Sequence, residues 1–270
     1  MLCDMHTHSE NSHDSVCEIE DMLLAQIEKG TTIFAVTDHF DCFSCNDYDI
    51  FTPIKRSYDT VQALNEKYKG KCLVLSGIEI GEGFWFPQVY EKGISMLDYD
   101  VVIGSVHCVR VDGLEQAYST IDFSKISNDC IADYLNTYFD DVLTMLNTTD
   151  FDVLAHLTCP LRYIVGKFGC SVDITEYYNK IDKILKIIIE KNIALEVNTS
   201  TYDALNDFMP TFEIVKRYYD LGGRMITLGS DAHVVQNAST HFDDAVKMLK
   251  EIGFDSIYYF KKRKPFAVSI

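Results

Sequence analysis

Residues 19–39 read IEDMLLAQIEKGTTIFAVTDH and contain one complete helix-to-strand unit. Apolar side chains recur at helical spacing across Ile19–Glu28, which predicts an amphipathic helix. Gly30 follows, and a glycine at that place commonly ends a helix. The β-branched and apolar run Thr32–Thr37 then predicts a short buried strand, and His39 follows it after one acidic residue. This stretch therefore predicts a unit of one helix, one buried strand and polar residues directly after the strand.

The same alternation of helical patterns and short apolar runs extends through the chain. The runs that predict strands are Met1–Met5, Thr32–Thr37, Cys72–Ser76, Val101–Ser105, Val153–Ala155, Ala194–Val197 and Met225–Leu228. The patterns that predict helices are Ile19–Glu28, Tyr58–Lys69, Ile131–Leu146, Ile174–Lys191, Phe212–Leu221 and Ala238–Ile252. Strands that alternate with helices build a parallel sheet, and this many repeats favour a closed or nearly closed α/β barrel. A doubly wound open sheet is the alternative.

Length and charge narrow the class of protein. The chain has 270 residues, is 47% hydrophobic and shows no linker or repeat, so we expect one domain over residues 1–270. Its 24 basic and 41 acidic residues give a net charge of −17, which disfavours nucleic acid and anionic lipid as partners. No apolar stretch has the length of a membrane helix, no signal peptide is evident, and nine scattered cysteines suit a reducing compartment. We therefore expect a cytoplasmic protein, whose oligomeric state the sequence does not indicate.

Potential metal ligands stand at the ends of the predicted strands. His6 and His8 form a His-x-His pair after the first strand, and alternate side chains of an extended segment point to the same side. The later strands end at, or contain, His39, Glu79, His107, His156, Glu196, Asp231 and His233. The carboxyl ends of parallel strands all meet at one mouth of a barrel. These side chains, distant in sequence, should therefore converge in one pocket.

The predicted ligands also indicate which metals and which chemistry to expect. Imidazoles and carboxylates without a set of thiolates suit zinc, manganese or iron. Their number exceeds the needs of one ion, so we expect two or three divalent ions that share a carboxylate and a water or hydroxide. Such ions activate water near neutral pH and offset the charge of an oxyanion, which points to hydrolysis of a phosphate ester. The expected partner is a small phosphate ester.

The motifs HTH, TDH, GIEIG, GSVH, AHL, EVN and GSDAH occur in this order between residues 4 and 233. Together they resemble the polymerase-and-histidinol-phosphatase (PHP) metallohydrolase family. The resemblance implies a distorted, TIM-barrel-like (β/α)7 barrel with a trinuclear site. It assigns His6, His8, Glu79 and Asp231 to the first ion, Glu79, His107 and His156 to the second, and Asp14, His39 and His233 to the third. Some family members carry a histidine at the position of Asp14, where a carboxylate suits the same ions.

Within that family the motifs are most similar to those of small histidinol-phosphate phosphatases. The resemblance implies hydrolysis of L-histidinol phosphate to L-histidinol and inorganic phosphate, in histidine biosynthesis, with a metal-bridged hydroxide as nucleophile. It also implies that Arg162 clamps the phosphate, and that a group near Asp14, His39 or His233 protonates the leaving oxygen. We treat all three as candidate catalytic residues.

Other residues could also contact the substrate, but the sequence leaves alternatives for them. Family members can carry a second arginine shortly after the EVN-like segment, but this chain has Ser200 near that point, and Arg110 or Lys167 are the candidates to replace it. Glu196 and Asn198 are candidate substrate-binding residues for a cationic amine, although Glu196 could equally orient an imidazole ligand. The two histidines outside the motifs, His13 and His241, are expected to be ordinary polar residues.

Other functions share parts of this pattern. A PHP phosphoesterase of broader specificity, acting on other small monoesters, nucleotides or nucleic acid ends, has the same metal ligands. A C–N hydrolase of the amidohydrolase kind also has an N-terminal HxH and a late aspartate, but GIEIG and GSDAH fit it less well. A metal-binding protein without activity remains the third alternative.

Overall fold

The computed structural model describes residues 2–270. Its helices are α1 (Ile19–Glu28), α2 (Phe51–Lys67), α3 (Pro87–Ser95), α4 (Asn128–Thr148), α5 (Tyr178–Lys191), α6 (Tyr202–Leu205), α7 (Phe212–Asp220) and α8 (Phe242–Ile252). Its strands are β1 (Leu2–Asp4), β2 (Thr31–Val36), β3 (His39–Asp41), β4 (Leu73–Gly81), β5 (Val101–Ser105), β6 (Cys108–Val109), β7 (Gln116–Ala117), β8 (Val153–Leu154), β9 (Ala194–Asn198), β10 (Ile226–Gly229), β11 (Ser256–Lys261) and β12 (Lys264–Ser269). Over these residues, none of the helices combines the length and apolar character needed to cross a membrane.

Seven parallel strands form the barrel, in the order β1-β2-β4-β5-β8-β9-β10, and β3 pairs with β4 beside that path. Backbone hydrogen bonds also join the first and last strands. The amide of Met5 donates to the carbonyl of Leu228 at 2.9 Å, and that of His8 donates to the carbonyl of Ala232 at 3.0 Å. The open-sheet alternative is therefore wrong, and the predicted distorted (β/α)7 barrel is confirmed.

The helices pack on the outside of the barrel through the apolar stripes that the sequence shows. In α1, Ile19, Met22 and Leu23 are buried in the same apolar cluster as Phe34 of β2. Complete burial of a side chain of this size contributes about 1.5–3 kcal/mol to stability. Gly30 follows α1 with a φ of 84°, a conformation that glycine adopts without steric cost.

Element boundaries differ from the prediction at several places. The first strand was predicted over Met1–Met5, whereas β1 spans Leu2–Asp4 and Met1 lies outside the described residues. The helix predicted over Tyr58–Lys69 begins already at Phe51. The helix predicted over Ala238–Ile252 begins only at Phe242, because the preceding residue, His241, has a left-handed φ of 60°.

Two substantial elements were not predicted from the sequence. Helix α3 begins with Pro87 at its first position, where a missing amide hydrogen costs nothing. The antiparallel hairpin β11–β12 follows α8, and β11 packs against β10 of the barrel. At the hairpin tip, Nε of Arg263 lies 3.1 Å from Oδ2 of Asp152, which precedes β8. This ion pair fastens the hairpin to the amino-terminal side of the barrel, away from the mouth that holds the site.

Candidate metal centre

The barrel brings every predicted metal ligand to one mouth, at the carboxyl ends of the strands. These residues are His6, His8, Asp14, His39, Glu79, His107, His156, Asp231 and His233. Each has a ring nitrogen or carboxylate oxygen within 4 Å of another member of the set. The convergence follows from the parallel order of the strands, because all of these side chains stand at the same end of the sheet.

Glu79 lies at the centre of the cluster and is inaccessible to solvent. Its Oε1 lies 2.9 Å from Nε2 of His156 and 3.1 Å from Nε2 of His107. Its Oε2 lies 2.9 Å from Nδ1 of His39 and 3.3 Å from Nε2 of His6. Burial raises the pKa of Glu79, but the imidazoles, chiefly those of His6 and His107, outweigh burial and hold this pKa well below its usual range. The carboxylate is therefore ionised and has an oxygen on each side of the cluster.

Asp231 faces the two histidines of the HxH pair. Its Oδ1 lies 3.2 Å from Nε2 of His8 and 3.9 Å from Nε2 of His6. The amide of Asp231 donates to the carbonyl of His6 at 2.8 Å, and Asp231 has a left-handed φ of 51°. The hydrogen bond that helps to close the barrel therefore also sets the direction of this carboxylate.

Asp14 lies nearer to solvent, in the loop between β1 and α1. Its Oδ2 lies 3.3 Å from Nε2 of His233 and 3.6 Å from Nε2 of His39, and its side chain is 44% exposed. Burial raises the pKa of Asp14, but the nearby rings of His233 and His39 outweigh burial and hold this pKa well below its usual range. The three residues that we treat as candidate catalytic groups therefore stand together at the rim.

The nitrogens and oxygens that face one another do not form a complete hydrogen-bond network. Nε2 of His6 and Nε2 of His8 are only 3.1 Å apart. Nδ1 of His39, Oε2 of Glu79 and Nε2 of His233 are buried without a hydrogen-bond partner in the described part of the chain. Buried lone pairs without a partner are costly, and a divalent cation accepts several of them at once. The donor set therefore fits zinc, manganese or iron.

Triplets of these residues are compact enough to hold an ion. In each triplet the candidate ligand atoms lie within 4.8 Å of one another. The triplets are His8–His39–His233, His6–His8–Asp231, His6–Glu79–His156 and His39–Glu79–His107. Their overlap at Glu79, His6, His8 and His39 fits several ions that share ligands better than one isolated ion.

Buried partners orient two of the imidazoles. Nδ1 of His6 lies 2.8 Å from Oε2 of Glu196, and Nδ1 of His107 lies 2.8 Å from Oδ1 of Asp41. When Nδ1 donates its hydrogen to a carboxylate, Nε2 of the same ring presents a lone pair. Each pair therefore turns a lone pair into the cluster. Asp41 was not predicted as a site residue, although it lies two positions after His39.

Serine residues hold the HxH segment from the side of β2. Oγ of Ser12 lies 3.1 Å from Nδ1 of His8 and donates to Oδ1 of Asp38 at 2.8 Å. The other oxygen of Asp38 accepts from Ser9 at 2.8 Å and from Ser57 at 2.6 Å. The sequence showed Asp38 only as the residue before His39, and its bonds to three serines depend on contacts that no local pattern reveals.

Glu82 supports the loop that carries His107. Its Oε1 accepts hydrogen bonds from the amides of His107 at 2.5 Å and Cys108 at 2.9 Å. Burial, together with the nearby charge of Asp41, raises the pKa of Glu82 to about 8. This glutamate was also not predicted, because its position just after the GIEIG motif carries no periodic pattern.

Arg162 lines the pocket above the cluster, and its contact with phosphate stays a prediction. It begins a π-helical turn, Arg162–Lys167, that follows the end of β8, and its side chain is 37% exposed. Its Nη1 lies 3.9 Å from Oδ2 of Asp231. Arg110 and Lys167 do not line the pocket: Arg110 lies over the ring of Trp85 at 4.0 Å, and Lys167 lies over the ring of Phe168 at 5.2 Å. Neither stands in for a second arginine.

The structure does not place Glu196 and Asn198 where a substrate can touch them. Both are buried, at 1% and 0% exposure, and neither lines the pocket. Glu196 lies behind His6, and Asn198 donates to Oε1 of Glu196 at 2.5 Å. The strand carries both side chains beneath the ligand cluster, and their assignment to substrate binding stays a prediction. The alternative, in which Glu196 orients an imidazole, matches the geometry.

The two remaining histidines lie in different places. His13 lines the rim of the pocket, and its ring lies 5.3 Å from that of His39. His241 lies outside the pocket and stacks on Tyr202, with ring centroids 4.5 Å apart. Neither contributes to a candidate metal triplet within the described residues.

The PHP domain family matches residues 4–200. This chain belongs to the PHP domain family. The matched range contains most of the ligands described above, and two further ligands, Asp231 and His233, lie beyond it.

Relatives match the PHP domain protein along nearly its whole length. A probable histidinol-phosphatase of Clostridium acetobutylicum is 30% identical over 274 residues, which cover 99% of this chain and 100% of the relative. A probable phosphatase of Proteus mirabilis is 33% identical over 255 residues, which cover 93% of this chain and 86% of the relative. The alignments therefore extend past the matched family range to the end of the barrel.

A solved structure shows the same architecture. Histidinol phosphate phosphatase from Lactococcus lactis subsp. lactis, complexed with zinc, L-histidinol and phosphate, superposes with a TM-score of 0.80. The two sequences are 22% identical, and the match covers 98% of each chain. This similarity supports the barrel fold of the PHP domain protein.

Proposed function

We propose that this PHP domain protein is a histidinol-phosphatase, a phosphoric monoester hydrolase that converts L-histidinol phosphate to L-histidinol and inorganic phosphate. The Clostridium relative, a probable histidinol-phosphatase, supports this function because it aligns with almost the whole of both chains. The Lactococcus enzyme, which shares the fold, was crystallised with zinc, L-histidinol and phosphate. The role in histidine biosynthesis belongs to the same proposal.

The observation that carries the proposal is the environment of Glu79. Imidazoles from four different strand ends, His6, His39, His107 and His156, lie 2.9–3.3 Å from its two oxygens. One carboxylate with so many nitrogen neighbours suits a ligand that bridges divalent ions, because a single ion uses fewer ligands than are present. Phosphate ester hydrolysis is the reaction that such a site serves best.

In the proposed holoenzyme, three groups of ligands would hold two or three ions of zinc, manganese or iron. The groups are His6, His8, Glu79 and Asp231; Glu79, His107 and His156; and Asp14, His39 and His233. When bound, such ions supply an activated water near neutral pH and neutralise charge on the phosphate. The chain itself provides the fixed donors and the barrel wall that shields them.

Arg162 is proposed to bind the phosphate oxygens, since it is the one lysine or arginine side chain that lines the pocket among residues 2–270. A guanidinium presents paired N–H donors that match two phosphate oxygens. Asp14 and His233 are proposed to supply the proton to the leaving oxygen. With two ions on the deeper ligands, Nε2 of His233 and Oδ2 of Asp14, 3.3 Å apart, can hold that proton at the rim.

A PHP phosphoesterase of broader or different specificity is the second candidate. The Proteus relative supports this candidate, because it is a probable phosphatase and is 33% identical to this chain over 255 residues. The presence of Ser200, where a second arginine was expected, adds to the case. Both candidate functions use the same metal ligands, and they differ only in which phosphate esters bind at the rim of the pocket.

A phosphate-release panel separates the two candidates. Protein loaded in turn with zinc, manganese or iron is assayed with histidinol phosphate, sugar phosphates, nucleotides and single-stranded DNA. We expect kcat/KM for histidinol phosphate to exceed the others by about 100-fold, a ratio that one shaped pocket can supply. Comparable turnover of several monoesters would establish the broader phosphoesterase. Tight metal binding without phosphate release would contradict both.

We also propose that residues 1–270 act as a single domain in the cytoplasm. Support for one domain comes from the seam between β1 and β10, which joins the two ends of the barrel, and from the packing of β11 on β10. Support for a reducing compartment comes from the nine cysteines, all of which are free in the described structure. The expected lack of nucleic acid partners rests on the net charge of −17 and is tested by the DNA arm of the panel.

A further inference from the structure

Ser200 lies just after β9 and contacts both the candidate phosphate-binding residue and a metal-facing carboxylate. Its Oγ accepts from Nη1 of Arg162 at 3.3 Å and lies 3.3 Å from Oδ2 of Asp231. The hydroxyl donates to Oδ1 of Asn198 at 2.7 Å, and the amide of Ser200 donates to the same oxygen at 3.0 Å. Two bonds to one amide oxygen fix the position of the serine.

The contacts continue without a break from Ser200 to the metal cluster. Nδ2 of Asn198 donates to Oε1 of Glu196 at 2.5 Å, and Oε2 of Glu196 lies 2.8 Å from Nδ1 of His6. Asn198 and Glu196 are almost fully buried, so no water competes for these bonds. The side chains of Arg162, Ser200, Asn198, Glu196 and His6 therefore form one hydrogen-bonded row that leads from the pocket wall to the ligands.

We propose that Ser200 is a positioning residue that holds the Arg162 guanidinium toward the phosphate site and separates it from Asp231. The inference rests on the proposed function, because it assigns Arg162 to the phosphate. It adds a determinant of phosphate affinity that lies outside the pocket lining and is specific to the residue this chain carries at position 200.

The separation matters because Arg162 has two possible partners. Nη1 of Arg162 and Oδ2 of Asp231 are 3.9 Å apart, and Oγ of Ser200 lies 3.3 Å from each. Without the hydroxyl, the guanidinium and the carboxylate are free to close into a direct charge-assisted hydrogen bond, which is stronger than a bond to a neutral hydroxyl. Such a bond draws the arginine away from the phosphate and occupies an oxygen of a candidate metal ligand.

The test compares Ser200→Ala with Ser200→Thr, which keeps the hydroxyl. For the metal-loaded protein, the measurements are the Kd of inorganic phosphate by calorimetry, the KM and kcat for histidinol phosphate, and the bound metal. In S200A we expect the phosphate Kd and the KM to rise about tenfold, which corresponds to about 1.4 kcal/mol. We expect kcat to stay within about threefold of the wild-type value, since one hydrogen bond to the arginine is lost and no reacting group changes. S200T should bind phosphate nearly as well as the wild type.

A matched control removes the neighbouring hydroxyl. Thr201 is buried, and its Oγ1 donates to the carbonyl of Asp207 at 3.1 Å, away from Arg162. Thr201→Val therefore loosens the same loop without touching the row. We expect it to lower stability while leaving the phosphate Kd unchanged, whereas an equal rise in Kd would show that loop packing, and not the Ser200 hydroxyl, sets the affinity.

A double-mutant cycle with Arg162→Lys shows whether Ser200 acts through the arginine. If it does, adding S200A to R162K changes the phosphate Kd by less than about twofold, because the two effects are not additive. Full additivity, an unchanged Kd in S200A, or a parallel loss of metal in S200A would each overturn the proposal. Phosphate binding is measured without turnover, so the result stands apart from any failure of the protein to hydrolyse histidinol phosphate.

Discussion

Asp41 and His107 form a buried pair in which Oδ1 of the carboxylate lies 2.8 Å from Nδ1 of the ring. The pair turns Nε2 of His107 toward Glu79, whose Oε1 lies 3.1 Å away. Position 81 is a glycine, and a Cβ there would overlap Oδ1 of Asp41 and crowd the ring of His107. The short strand β3 thus supplies one candidate ligand, His39, and the group that orients another.

Replacement of Asp41 should weaken metal binding, and more strongly when both its charge and its hydrogen-bond acceptor are lost. Asp41→Asn keeps a hydrogen-bond acceptor without the charge, and Asp41→Ala removes both. We expect the zinc Kd to rise about tenfold in the first and about 100-fold in the second, the range seen when partners of metal-bound histidines are replaced. Competition with a chelator dye measures the Kd. Asp59→Asn, an exposed change on α2 next to Lys55, serves as control, and wild-type affinity in D41A would contradict the orienting role.

Replacement of Glu79 should remove metal and activity together. Glu79→Gln preserves shape but lacks the negative charge that the surrounding imidazoles and bound ions require. Metal analysis after dialysis should show the loss of at least one ion, and phosphate release should fall below detection. Glu66→Gln on exposed α2 is the charge-matched control. A fully loaded and active E79Q protein would show that Glu79 does not bridge.

Removal of metal should destabilise the fold, because the buried nitrogens of the cluster lose their cations. Chelation is expected to lower Tm, and zinc or manganese should restore it, since an ion at 100 times its Kd adds about 2.7 kcal/mol of stability. Differential scanning calorimetry with and without chelator measures the shift. The same treatment should change the Tm of E79Q much less, and equal shifts in both proteins would place the stabilising ion elsewhere.

Asp141 on α4 should make stability fall as pH rises. Burial, with the charge of Asp140, raises the pKa of Asp141 from 3.8 to about 7, and its Oδ2 has no hydrogen-bond partner among residues 2–270. The native carboxyl therefore keeps its proton to a higher pH than the unfolded chain does. Its favourable contribution is complete below pH 3.8 and is lost as the pH rises through about 7.

Asp141→Asn tests this dependence, because an amide cannot ionise. Urea unfolding at several pH values should show that the stability of D141N relative to the wild type grows between about pH 4 and pH 7 and then stays constant. Asp133→Asn, an exposed change on the same helix, should show no such trend. A constant difference between D141N and the wild type at all pH values would contradict the raised pKa.

The sequence predicted the barrel because its signals are local and repeated. Each strand is a short apolar run, each long helix has an apolar stripe such as that of α1, and both leave their pattern in neighbouring positions. Most ligands could be predicted for the same reason, since a parallel barrel places the residues after its strands at one mouth, whereas Asp14 came only from the resemblance to the PHP family. The structure brings together all nine predicted ligands, although their division among ions stays a prediction.

Residues that act through tertiary contacts could not be predicted in this way. Asp41 follows His39 by two positions, but without the knowledge that β3 is extended, nothing indicated that both face one side. Glu196 stands at a strand tip, which left both substrate binding and orientation of an imidazole open, because its depth beneath His6 depends on how the neighbouring strands pack. The hairpin β11–β12 was missed because its turn, Lys262 and Arg263, lacks the glycine or asparagine that usually indicates a tight turn.

The seam that closes the barrel joins two strands that lie far apart in the sequence. Asp4 accepts a hydrogen bond from the amide of Ser230 at 3.0 Å, across 226 positions of sequence, and the HxH pair meets its aspartate only there. His6 and His8 therefore meet Asp231 only when β1 and β10, the first and last strands of the barrel order, come together. A fragment that ends between β9 and β10 would keep both histidines but lose the carboxylate of Asp231 that faces them.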